Sequence, residues 1–117
     1  MFETGKLPMA NDNNTLAENI TRVIHVHAQV DAIYLYGSRA KQTAHADSDW
    51  DIAVVFSHFE PDVNARLLRP QTLEATLERE LKLYNQVSVI DLEAAPVLLQ
   101  YSIVMSAVKW FDRNVPH

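Results

Sequence analysis

Two hydrophobic periods alternate along this 117-residue chain. Leu16, Ile20, Val23, Ile24 and His27 recur at helical spacing, which predicts a helix up to about Gln29 with one face on a sheet. The run Thr15-Leu16-Ala17-Glu18 has the spacing of a capping box and sets the start of that helix. Residues 1–14 mix Gly5, Pro8 and an Asn-Asp-Asn-Asn cluster without either period and read as a loose tail. Two short apolar runs, 32–36 and 52–56, read as strands. Pro61 and Pro70 interrupt the segment after the second strand, predicting a loop or short helix near 62–69 and a helix over about 70–84. Leu73, Leu77, Leu81 and Tyr84 form its buried stripe, and Glu74, Glu78, Arg79, Glu80 and Lys82 lie mostly on its solvated face. Residues 87–92 read as a strand on which Val87, Val89 and Asp91 share one side. The stretch 96–111, opened by Pro96, reads as a helix apolar on nearly every side. It either lies deep in the core or leaves a face for a partner. The order of elements is that of one α/β (α+β) domain over residues 15–117.

With 48% hydrophobic residues the chain has material for one modest core. A net charge of −5 repels phosphate backbones, which argues against stable nucleic-acid binding. The absence of cysteine excludes disulfides and thiolate zinc sites. No apolar run approaches the length of a membrane span and no leader opens the chain, so a cytoplasmic protein is expected. His25 and His27 have no partner at metal-ligand spacing and read as helix-face histidines.

The chemistry concentrates in Gly37-Ser38, followed ten residues later by Asp49-Trp50-Asp51. Alternation along a strand puts Asp49 and Asp51 on one side, where two carboxylates suit a hard divalent cation, and turns Trp50 the other way. Glycine lets the backbone approach a ligand, and Ser38 offers an N–H and a hydroxyl to phosphate oxygens. Arg39 and Lys41 can supply the local positive charge that a triphosphate needs, although plain solvent exposure is the favoured reading of Lys41. A tight loop with solvated acids is the bland alternative; the flanking strands favour a phosphate turn.

The stretch YLYGSRAKQTAHADSDWDIAVVF resembles the signature of the polymerase-β-like nucleotidyltransferases in their minimal form. More narrowly, it resembles the MntA antitoxins that pair with a HEPN-domain RNA-cleaving toxin. The resemblance is strongest over 31–57 and extends with less specificity to about 92. Gln42 stands where many relatives have glycine, and Trp50 is bulkier than the usual residue between the acids. The resemblance implies a small mixed sheet flanked by helices and a Mg²⁺-dependent nucleotidyltransferase, with two Mg²⁺ ions held by Asp49 and Asp51. Relatives carry a third carboxylate on a following strand, and Asp91 sits where that residue is expected. Ser38, beside Gly37, would hold the β- and γ-phosphates and Arg39 would offset charge on the leaving pyrophosphate, with Lys41 assisting. ATP is the implied donor and a tyrosine of the cognate HEPN toxin the implied acceptor. So short a chain has no room for an acceptor-binding domain, and the 96–111 helix would supply the surface that meets the toxin. Two other readings stand beside this one: an antitoxin acting by binding alone, and nucleotidyl transfer to a small molecule or an RNA end.

Overall fold

The computed structural model describes residues 10–41 and 49–114. Among them the chain runs α1 (Ala10–His27), β1 (Val30–Tyr36), β2 (Trp50–Phe56), α2 (Val63–Leu81), β3 (Val87–Asp91), a 3-10 turn (Leu92–Ala94), α3 (Val97–Ser106) and β4 (Val108–Asp112). The strands form one sheet in the order β3-β2-β1-β4. β1 runs antiparallel to β2 and β4, while β2 and β3 are parallel and joined by α2, as a parallel pair requires a long crossover. This is the mixed sheet flanked by helices that the sequence predicts.

The alternation of each strand divides the core between the two faces of the sheet. On one face Ile33, Leu35, Ile52, Val54, Val87 and Val89 pack with Ile20, Val23 and Ile24 of α1 and Leu73 and Leu77 of α2. Full burial of each such side chain contributes about 1.5–3 kcal/mol, so this layer holds most of the fold's apolar stabilisation. On the other face Ala53, Leu92 and Ile103 form a smaller cluster, with Tyr34, Tyr36, Val55, Ile90 and Leu99 packed against it.

Several boundaries differ from those the sequence predicts. α1 begins at Ala10, so Thr15 and Glu18 lie inside the helix rather than capping it. Asn and Asp are only mildly unfavourable in a helix, and lengthening a formed helix costs far less than nucleating one. α2 is a single helix running through Pro70. Interior proline forfeits the bond to the Arg66 carbonyl and costs about 3 kcal/mol. Tertiary and capping contacts offset that cost. Asp62 Oδ2 accepts from Ala65 N at 2.7 Å, Arg66 Nη1 donates to Glu60 O at 2.8 Å, and Arg69 Nη1 donates to His58 O at 2.8 Å.

α2 ends at Leu81 because Lys82 and Asn85 adopt left-handed backbone angles, with φ of 57° and 60°. The turn shifts the apolar stripe by one residue, so Leu83 is buried and Tyr84 is 57% exposed. The predicted 96–111 helix stops at Ser106, and 108–112 is a strand instead. Val108, Trp110 and Phe111 have the β-branched and aromatic character that strands favour. β1 offers a free edge that satisfies their backbone groups, and Arg113 N donates to Asp31 O at 2.8 Å beyond the ladder. α3 does not lie deep in the core: Ile103 is buried, whereas Val97, Leu98, Tyr101, Val104 and Met105 are each more than 60% exposed. Among the described residues no helix is long and apolar enough to cross a membrane.

Candidate active site

Gly37 directly follows β1, and its φ of +74° lies in the left-handed region. A Cβ built on this glycine would overlap Asp51 Oδ2 and lie 3.2 Å from Asp51 Cγ. Glycine is therefore required twice, for its backbone angle and for the space that the carboxylate fills. The chain then turns through Ser38 to Lys41, and Lys41 N donates to Gly37 O at 3.3 Å. Trp50 N donates to Gln86 O at 2.8 Å and fixes the start of β2 beside β3.

Along β2, Trp50, Ile52, Val54 and Phe56 face the helices, which leaves Asp51, Ala53 and Val55 on the other side. Asp51 is half-buried and Asp49, just ahead of the strand, is exposed. Burial, and then the neighbouring Asp49 charge, push the Asp51 carboxyl above its ordinary range. Burial, and then the Asp51 charge, likewise push the Tyr36 phenol up. Two like charges, one partly dehydrated, beside a glycine turn form a donor set that a hard cation relieves. Mg²⁺ typically takes one or two protein carboxylates and completes its shell with water and substrate phosphate, so Asp49 and Asp51 fit it. Among the described residues there is no group of three or more His, Cys, Asp or Glu side chains suited to a metal.

Trp50 points away from the acids, as its place between them predicts, and is 4% exposed. Its ring lies 6.0 Å from that of Trp110, and the Arg39 guanidinium stacks over it at 4.2 Å. The Lys41 residue is exposed. Gln42 lies outside the described residues.

Asp91 does not join Asp49 and Asp51. β3 pairs Ser88 with Asp51 and Asp91 with Val54, so Asp91 lies three residues further along the sheet, about 10 Å at the usual rise. It also lies on the opposite face, the side of Val54, Val87 and Val89. There its Oδ1 accepts from Glu93 N at 3.0 Å, capping the 3-10 turn, and its Oδ2 lies 3.9 Å from Arg69 Nη2. Val87, Val89 and Asp91 do share a side as predicted, but α1 and α2 cover that side.

The neighbours of Asp51 are instead Tyr36 on β1 and Ser88 on β3. Sequence reasoning passed over both. Tyr36 had one local signal, its place directly before Gly37; Ser88 had none, because only the register of β3 sets it beside Asp51. The two histidines of α1 have packing partners: His27 Nε2 is 2.6 Å from Glu80 Oε2, and His25 meets the Phe111 ring edge-on at 4.5 Å between centroids.

Comparison with known proteins gives this geometry a lineage. No curated protein matches the chain. Among solved structures, the chain is similar to a toxin–antitoxin with AMP-PNP, at 25% identity and a TM-score of 0.67, covering 84% of this chain and 74% of the other. It is also similar to a variant of the toxin–antitoxin MntA–HpeT, at 26% identity and a TM-score of 0.65, covering 83% and 72%. A third similarity, in fold alone, is to a structure of tri-AMPylated HEPN toxin from Shewanella oneidensis in complex with MNT antitoxin, at 23% identity and a TM-score of 0.58, covering 85% and 71%. The family model described as "Polymerase beta, Nucleotidyltransferase" matches residues 18–115, most of the chain, and with the fold and the glycine-flanked acids it shows that the protein belongs to the polymerase β nucleotidyltransferase family.

Proposed function

We propose that this protein is a cytoplasmic antitoxin that transfers AMP from ATP to a tyrosine of a cognate HEPN toxin and thereby silences the toxin's RNA cleavage. The observation that carries the reading is the Asp49–Asp51 pair set against the Gly37 turn, in a nucleotidyltransferase whose similar structures include toxin–antitoxin complexes. The residues divide the work. Ser38 and the backbone N–H groups after Gly37 hold phosphate oxygens of the triphosphate. Asp49 and Asp51 hold Mg²⁺, which when bound offsets charge on the phosphates and makes the attacking hydroxyl more acidic. The Arg39 guanidinium stacks on Trp50, on the side away from the acids, so it would offset charge on the leaving pyrophosphate only by leaving that stack, and the Lys41 side chain adds to that field. The acceptor oxygen forms a bond to the α-phosphorus, the bond to pyrophosphate breaks, and the hydroxyl proton leaves to solvent.

The partner brings its own acceptor surface, and the exposed apolar side of α3 is where it docks. Incubation of the chain with ATP, Mg²⁺ and the protein of the neighbouring reading frame adds the mass of an adenylyl group to that protein, on tyrosine. An unmodified neighbour under these conditions contradicts the transfer. The same exposed helix supports a second reading, neutralisation by binding alone. An Asp49→Ala, Asp51→Ala double variant that still neutralises at ordinary expression would favour it.

A further inference from the structure

We propose that Tyr36 and Ser88 are positioning residues: they bracket Asp51 across the sheet, one on each neighbouring strand, and their hydroxyls turn to its carboxylate and hold it when it takes a divalent cation. The inference rests on the nucleotidyltransferase reading above and concerns how its metal site is supported. The three residues form one row across the sheet: β1 pairs Tyr36 with Asp51, and β3 pairs Ser88 with Asp51. The antiparallel opposition of Tyr36 and Asp51 brings their Cβ atoms to about 4.5–5.5 Å, and Ser88 sits on the adjacent parallel strand at the usual spacing of about 4.7–4.9 Å. All three are half-buried on the sheet face away from α1 and α2. The Tyr36 ring packs against the Ala53, Leu92 and Ile103 cluster, so it is held from the side of α3. Gly37 closes the remaining flank, where a Cβ would overlap Asp51 Oδ2. Each hydroxyl offers one donor, and ligating carboxylates are characteristically oriented by such donors.

The test is direct titration of Mn²⁺ into the full chain, with free Mn²⁺ read by electron paramagnetic resonance, for the wild type, Asp51→Asn and the Tyr36→Phe, Ser88→Ala double variant. The expected result is that the wild type binds, Asp51→Asn does not, and the double variant binds about 10–100-fold more weakly while its melting midpoint stays near wild type. Should the double variant not fold, Tyr36→Phe and Ser88→Ala singly carry the same comparison. Wild-type affinity in these variants overturns the bracket and leaves the metal site standing. No binding by the wild type overturns both.

Discussion

Gly37 and Asp51 depend on each other at the scale of single atoms. The +74° backbone angle and the occupied space beside Asp51 mean that Gly37→Ala meets both backbone strain and a clash with a side chain fixed on a central strand. We expect a loss of about 2–4 kcal/mol in denaturant unfolding, beyond the roughly 1–3 kcal/mol typical of strain alone, and transfer activity reduced to background. Asp51 itself is a cost to the metal-free fold. A carboxyl raised in the folded state above its ordinary 3.8 favours folding most below that value, and the advantage is lost as pH rises through the folded pKa. Asp51→Asn stays neutral throughout. Without metal, the variant is expected to melt above the wild type at pH 7, and the gap to close as pH falls below about 3.8. A gap that persists in acid would contradict this account.

At the scale of elements, helix and strand limits follow tertiary contacts wherever these compete with local propensity. Pro70 is tolerated in α2 because Arg66 and Arg69 tie the first half of the helix to the carbonyls of Glu60 and His58. Pro70→Ala restores an N–H for the Arg66 carbonyl while loosening the unfolded chain slightly, so a net gain of about 2 kcal/mol is expected in thermal or denaturant unfolding. Asp91 serves β3 and α2 by capping the 3-10 turn and facing Arg69. Asp91→Asn should lower stability by about 1 kcal/mol and leave the transfer rate within about twofold of wild type. A loss as large as that of Asp51→Asn would return Asp91 to the active site. At the edge strand β3 a side chain takes up one backbone group, since Val89 N donates to Glu74 Oε1 at 2.9 Å.

For the whole molecule, the two faces of the sheet have different tasks. α1 and α2 seal one face over its larger core, while α3 covers only part of the other and leaves the acids open. α3 also turns Leu98 and Tyr101 outward, 84% and 67% exposed. Charges placed there should leave the fold intact and disrupt an interface. If α3 is the docking surface proposed above, a Leu98→Glu, Tyr101→Glu variant is expected to melt within a few degrees of wild type and to bind the proposed toxin partner at least about thirtyfold more weakly by calorimetry, the loss of about 2 kcal/mol that marks an interface hot spot. Unchanged affinity would move the docking surface elsewhere on the molecule.

The amino-acid sequence by itself determined what depends on neighbours along the chain. A period of two sets Asp49 and Asp51 apart from Trp50, and a glycine next to a serine at the end of an apolar run marks the turn. The family signature is likewise local, and fold class follows from it and from the order of apolar runs. Only the tertiary structure decided how strands align. The parallel register of β3 carries Asp91 past the acids to the helix-covered face and brings Ser88 beside Asp51. The free edge of β1 draws 108–112 into the sheet, where the apolar pattern alone extended a helix. Register and edge pairing join residues far apart in the chain, so their energies leave no period for a single sequence to display.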